Sequence, residues 1–243
     1  MRRFFLLILM LAMSRAGSGR AATNDFFASG ITAIHNGNFL DAVGGFQKSV
    51  RQQPATGALV NLGLAEWQRG HAGAAILAWE QARWIDPFDE RAAQNLKFAR
   101  MAAQADEPQL KWFEAASVWL PPNAWLWIAG ASWWLTVGAL MLPGIFRWKK
   151  SGWLSALAAL GFAVFLFSLT ANVGVVSRTN IGFVLKKNAP LLLTPTRTGE
   201  IISTLNAGEP VRRQRTRGDY CFISSANGSG WIESKAFGLV AAR

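Results

Sequence analysis

The sequence predicts a multidomain membrane protein: an α-helical solenoid of about two repeats, then a two-helix transmembrane hairpin, then a small all-β barrel. Three observations carry that reading. Residues 123–142 and 151–176 are apolar and hold no charged side chain. A set of glycine, alanine, aromatic and proline positions recurs at a spacing of 33 residues before them. After them the chain turns into short apolar segments punctuated by turn residues. About 20 helical residues at roughly 1.5 Å each span the roughly 30 Å hydrocarbon core of a bilayer, so each apolar run is long enough to cross one. A buried helical pair in a soluble core is the alternative, and such helices normally keep a polar face that these runs lack.

The 243 residues leave room for two small domains beside the hairpin. A net charge of +11 suggests a nucleic-acid partner until it is divided along the chain. Seven of the eleven net positive charges sit in the first 23 residues and in the segment 143–150, where targeting and topology account for them. Only 178–243 keeps an excess of its own. A nucleic-acid partner is therefore not expected. With one cysteine, Cys221, no internal disulfide can form, and packing alone must hold the domains.

Residues 1–22 have the form of a secretory signal: Arg2 and Arg3, an apolar stretch over 4–13 too short to span lipid, then small residues with cleavage near Ala21. A retained anchor would leave the topology unchanged. Over 24–105, Gly30, Gly37, Ala42, Phe46 and Pro54 return as Gly63, Gly70, Ala75, Trp79 and Pro87. This recurrence resembles the tetratricopeptide (TPR) pattern of a helix-turn-helix unit of about 34 residues. In that family glycine lets paired helices approach, the small and aromatic residues fill their seam, and proline ends the second helix. Ala33 and Glu66 stand where the family has an aromatic in the first helix, and Trp67 follows the latter. Asn61-Leu62-Gly63 returns as Asn95-Leu96-Lys97 without its glycine, so 90–104 is expected to be a solvated capping helix. Asn61, Trp67 and Asn95 are the candidate protein-binding residues of the repeat face; a helical spacer with no ligand is the alternative.

Asp106-Glu107-Pro108 breaks the helix and opens a membrane-proximal linker over 106–122, whose part from Leu110 to Leu120 is expected to be amphipathic. The spans follow at 123–142 and 151–176, with Trp119, Trp125, Trp127, Trp148 and Trp153 placed as interfacial anchors and Trp133 and Trp134 mid-span. Arg147, Lys149 and Lys150 make 143–150 a short basic loop, and such loops stay cytoplasmic. Both terminal domains are then extracytoplasmic.

In 178–243, strands are predicted at 182–186, 189–193, 201–205, 211–215, 220–224, 228–232 and 237–240, with turns at 206–208 and 216–219. Thr204, Leu205, Gly208 and Val211 in one run, the segment 220–223, and Gly230-Trp231-Ile232 resemble a bacterial SH3-like domain. Its distal loop would be Arg212 to Arg217. Four arginines there, Arg212, Arg213, Arg215 and Arg217, are candidates for an anionic partner: lipid headgroups, an acidic protein face or a wall polymer. A solvated hairpin is the alternative.

No catalytic constellation is legible. His35 and His71, the only histidines, occupy non-equivalent places in the repeat, and Cys221 has no histidine in its domain. Asp86, Asp89 and Glu90 suit the start of a helix better than acid–base work. No cofactor or metal is expected.

The domain order, together with residues 86–92 (Asp-Pro-Phe-Asp-Glu-Arg-Ala) followed by Asn95-Leu96, is similar to the E-type membrane proteins of Bacteroides aerotolerance (Bat) operons. That resemblance implies a non-enzymatic scaffold in a bacterial inner membrane, facing the periplasm, with von Willebrand-type domain membrane proteins and a MoxR-type ATPase as partners. The rival expectation is a peptidoglycan-binding tether acting through the SH3-like end.

Overall fold

The computed structural model describes residues 18–145 and 152–241. Residues 1–17 of the expected signal segment 1–22, and the basic residues Arg147, Lys149 and Lys150, lie outside the described residues, while the backbone of the first helix begins at Ser18, within that segment's small-residue stretch.

Glycines and aromatics set the helical half. Helices α1 (Ser18–His35), α2 (Phe39–Gln52), α3 (Thr56–Gln68), α4 (Ala72–Ile85) and α5 (Glu90–Ala103) run as two helical hairpins and a closing helix. Gly30 on α1 lies under the buried ring of Phe46 on α2, and Gly63 on α3 lies under the buried ring of Trp79 on α4. A Cβ at Gly30 would stand 2.7 Å from the Phe46 ring. The spacing of 33 is thus a repeated contact between a bare backbone and a ring. The turns repeat too. Gly37 and Gly70 hold φ of 71° and 79°, a left-handed conformation that glycine adopts without Cβ strain. Beyond them Asn38 N–H donates to Ala33 C=O at 2.8 Å and His71 N–H to Glu66 C=O at 2.9 Å, closing both first helices alike. Helices α2 and α4 both end on an extended residue, Gln53 and Asp86, immediately before Pro54 and Pro87.

Asp89 caps α5, its carboxylate accepting Ala92 N–H at 2.9 Å. Partial burial alone would push that carboxyl up, but this bond and Arg91 outweigh it and hold it below the ordinary aspartate range. Contrary to the expectation of a solvated cap, α5 is buried along one side at Ala92, Leu96 and Ala99. Within the linker the helix α6 covers Trp112–Ser117, with Glu114 and Ser117 buried on one side and Trp112, like Trp119 just beyond the helix, exposed.

Helices α7 (Pro122–Ile145) and α8 (Gly152–Arg178), of 24 and 27 residues with mean hydropathy 1.4 and 2.1, are long and apolar enough to cross a membrane. Only 22% of each apolar window is buried, which separates them from the core helices of a soluble domain. Helix α7 runs on through Pro143 to Ile145, so the connection does not begin at 143 as expected. The seam between the two helices is made of small residues: Gly161 lies against Thr136 and Leu135, with Ala129, Ser132, Ala158 and Ala171 buried nearby. Ser132, Thr136 and Ser168 donate back to carbonyls of their own helices at 2.7–2.8 Å. Trp125, expected as an interfacial anchor, is instead buried at the N-terminal end of α7, where its Nε1 donates to Ser117 C=O.

The C-terminal unit is an open antiparallel sheet of β1 (Ile181–Val184), β2 (Ala189–Leu192), β3 (Ile201–Leu205), β4 (Pro210–Arg217), β5 (Tyr220–Ser225), β6 (Gly228–Glu233) and β7 (Phe237–Leu239) in the order β3-β2-β6-β5-β4-β1-β7. Leu205 from one edge and Phe237 from the other share a core with Val184, Leu191, Ile223 and Ile232, so the sheet curls around its own apolar face. Arg212 to Arg217 are strand residues of β4, not a loop. The turn is only Gly218-Asp219, with Gly218 at φ 57°, as a two-residue hairpin with glycine first requires.

The helical and β units are packed together. Ile76, Trp79, Leu96 and Ala99 share a core with Ile181, Phe183 and Val240, and Gln81 Nε2 donates to Leu239 C=O at 3.0 Å. At Gly73 on α4 the backbone of β1 comes so close that a Cβ would strike Val184 C=O and lie 2.7 Å from Leu185 C=O. Because both obstacles are backbone, no rotamer change relieves them. Gly73→Ala is expected to cost about 1–3 kcal/mol, as overpacking does, and to speed proteolysis in 106–111. An unchanged cleavage rate and melting temperature would show that the two units are not packed this way.

Candidate partner-binding face

The repeat places side chains on its first helices at a spacing of 34 residues. Asn61, Leu64 and Trp67 on α3 correspond to Asn95, Phe98 and Met101 on α5. Spacings of three keep each trio on one side of its helix, and the Trp67 and Phe98 rings meet edge to face at 5.5 Å. Asn61, Trp67 and Asn95 are half-buried. Phe98 and Met101 are 55% and 65% exposed, a large apolar surface for side chains that have core neighbours available one turn away. The β unit packs on α4, the second helix of its hairpin, and leaves this ladder open. Residue spacing could have revealed Leu64, Phe98 and Met101, since 61 and 95 were already matched.

A second constellation ties this body to the hairpin. Glu114 is fully buried and accepts from Lys111 N–H at 2.9 Å, from Ser177 Oγ, and from both terminal nitrogens of Arg212 at 2.7 and 2.9 Å. Burial pushes the carboxyl up. The bonds from Arg212, Ser177 and the Lys111 amide more than reverse that and bring it down to about 2. Ser117, one turn on, accepts from Arg178 at 3.2 Å through Oγ, and its carbonyl accepts from Trp125. Helix α6 is therefore held by the N-terminal end of α7, the C-terminal end of α8 and β4 at once. The signal in the sequence is faint but present: Glu114 is the only acidic residue between Glu107 and Glu200.

The four arginines do not act as one patch. Arg212 is bound to Glu114, and Arg213 donates to Asn180 Oδ1 at 3.1 Å. Arg215 and Arg217 are exposed, the former stacked over Phe222 and Trp231 at 4.8 and 5.2 Å. His35 is exposed, and His71 Nδ1 lies 2.8 Å from the buried carboxylate of Glu66. Cys221 is buried with Thr216 and Ser234 hydroxyls at 3.5 and 3.4 Å. Among the described residues no group of three His, Cys, Asp or Glu side chains stands together as a metal centre needs.

What the geometry defines is a two-helix, membrane-length hairpin carrying a helical-repeat unit and a curled β-sheet unit packed into one body. No protein-family model matches the chain, and no curated protein or solved structure matches it.

Proposed function

We propose that this chain is a non-enzymatic membrane scaffold that grips a partner protein with the ladder of its first helices while the hairpin holds that ladder at a fixed height above the bilayer. The exposed Phe98 and Met101 beside Trp67, in register with the asparagine pair Asn61 and Asn95, carry this reading: interface anchors are commonly aromatic or methionine side chains with polar groups at their rim. The mechanism is binding without bond-breaking. A groove clamped through Glu114 to the hairpin meets membrane-borne partners at raised effective concentration. The repeats are read as TPR-like and the β unit as SH3-like, with the chain in a cytoplasmic membrane and both units outside. The sequence resemblance further suggests a Bat-type assembly, with von Willebrand-type domain proteins and a MoxR-type ATPase as the candidate partners.

The test uses full-length protein in mild detergent. Phe98→Ala with Met101→Ala, or Asn61→Ala with Asn95→Ala, is expected to lower recovery of a co-purified membrane partner at least tenfold while the melting temperature stays within about 2 °C. Undiminished recovery would remove the ladder as the binding face. Reporter fusions after Gln104 and at the C-terminus test the compartment, with both expected outside.

A peptidoglycan-binding tether is the second reading, favoured by the exposed Arg215 stacked on Phe222 and Trp231. Its pull-down on purified cell wall requires the full chain, since isolating 178–243 would strip Ile181, Phe183 and Val240 of their helical neighbours.

A further inference from the structure

We infer that the cavity between α4, α5 and the C-terminal end of α8 is a binding site for a phosphate-class oxyanion, held by Arg83 and Arg178. The cavity measures about 110 Å³, enough for one phosphoryl group and well below the few hundred Å³ of an ordinary small-molecule pocket. Three arginines and two glutamates line it: Arg83, Arg100, Arg178, Glu80 and Glu107.

The charges do not cancel. Arg100 is paired with Glu80 through Nη2 and with Glu107 through Nη1 at 2.8 Å, and Glu80 also attracts Arg83 and Arg178 without bonding to them, which leaves three guanidinium groups against two carboxylates. Among the described residues Arg83 has no hydrogen-bond or ion-pair partner, and its Nε is buried without an acceptor. Arg178 donates to Ser117 Oγ and stacks on Trp84 at 4.9 Å, and the carboxylates of Glu80 and Glu114 offset part of its charge without a direct bond. Two like charges facing one small cavity, with a buried N–H left over, are costly unless an acceptor with negative charge completes the arrangement. A tetrahedral oxyanion presents several acceptors to such forked donors, which is the geometry guanidinium groups match best.

The cavity also lies at a distinctive height. Arg178 is the last residue of the apolar helix α8, and Val118 and Leu110 close the same wall, so the site opens where the hairpin emerges. A lipid headgroup phosphate and free phosphate share the required chemistry, and the experiment separates them.

Thermal unfolding of the full chain in neutral detergent is measured while inorganic phosphate is titrated against chloride at equal ionic strength. Phosphate is expected to raise the melting temperature saturably. Arg83→Gln and Arg178→Gln should each weaken the apparent affinity at least tenfold, and the exposed Arg51→Gln on α2 should not. In the second arm, the protein is placed in nanodiscs of phosphatidylcholine with or without phosphatidylglycerol. Stabilisation by phosphatidylglycerol that is lost in Arg83→Gln assigns the headgroup; stabilisation by free phosphate alone assigns the soluble ion. If the wild type responds to phosphate and phosphatidylglycerol no more than to chloride and phosphatidylcholine, the site does not exist. Equal responses from wild type and both glutamine variants have the same meaning. Arg83→Lys keeps the charge, and its partial response separates lost binding from lost folding. Partner recovery is not a readout here, so failure of this inference leaves the scaffold reading untouched.

Discussion

Replacing Glu114 by alanine is expected to lower the stability of the full-length protein by about 3–5 kcal/mol, because Arg212 and Ser177 then face a dry junction with no acceptor. Arg212 keeps 29% of its side chain in solvent, so some hydration returns and the lower end of that range is expected. For a chain of this size that is a fall of roughly 10 °C in melting temperature. The pH dependence has a definite sign. Folding depresses the carboxyl from its ordinary value of 4.5 to about 2, so its contribution is fully present above pH 4.5 and drains away as the pH falls toward 2. A shift of that size corresponds to about 3 kcal/mol at neutral pH. Wild type should therefore lose stability over that window more steeply than Glu114→Ala. Parallel acid-unfolding curves would show that the carboxylate is not bound as described. Arg212→Ala should reproduce most of the loss, and the double variant should cost far less than the sum of the two, the signature of a shared interaction.

Trp79→Ala should cost a comparable 3–5 kcal/mol, but for an apolar reason. The ring is 2% exposed, lies on the bare backbone of Gly63, donates through Nε1 to Val60 C=O at 3.0 Å, and belongs to the core that joins the repeats to β1. Its removal opens a void that no small neighbour can fill. Trp67, whose ring lies 6.2 Å away, is the group best able to fall inward, which would pull the ladder out of register. Trp79→Ala is thus expected to weaken partner recovery together with melting temperature. Phe98→Ala, at an exposed position, should reduce recovery with stability nearly intact. Chemical denaturation of both variants beside the co-purification assay checks this. A Trp79→Ala protein as stable as wild type would contradict the packing.

The helical repeat and the hairpin were legible because both are written in local patterns. A glycine opposite an aromatic on the neighbouring helix must recur wherever the same two helices approach, and Gly30 with Phe46 and Gly63 with Trp79 do so. A long uncharged run needs no partner to be recognised. Strand positions were legible to within a residue or two from turn chemistry, β4 included, although the SH3-like resemblance made its polar run Arg212 to Arg217 a distal loop. There the pairing with Tyr220 to Ser225, and not side-chain hydrophobicity, makes the strand. Gly73 gave no local sign of its purpose, since it is small for the sake of the Val184 and Leu185 backbone more than 100 residues further along the chain.

By itself the sequence determined the order of parts, the repeat spacing, the apolar hairpin and the approximate strand positions, all consequences of periodicity within a few turns of chain. Tertiary structure alone decided that the repeats and the sheet form one body, that Arg212 is turned inward to Glu114, and that Arg83 and Arg178 face a common cavity. The physical reason is that a charge's fate depends on which distant group meets it and how much water is excluded there. A one-dimensional pattern of charges records neither.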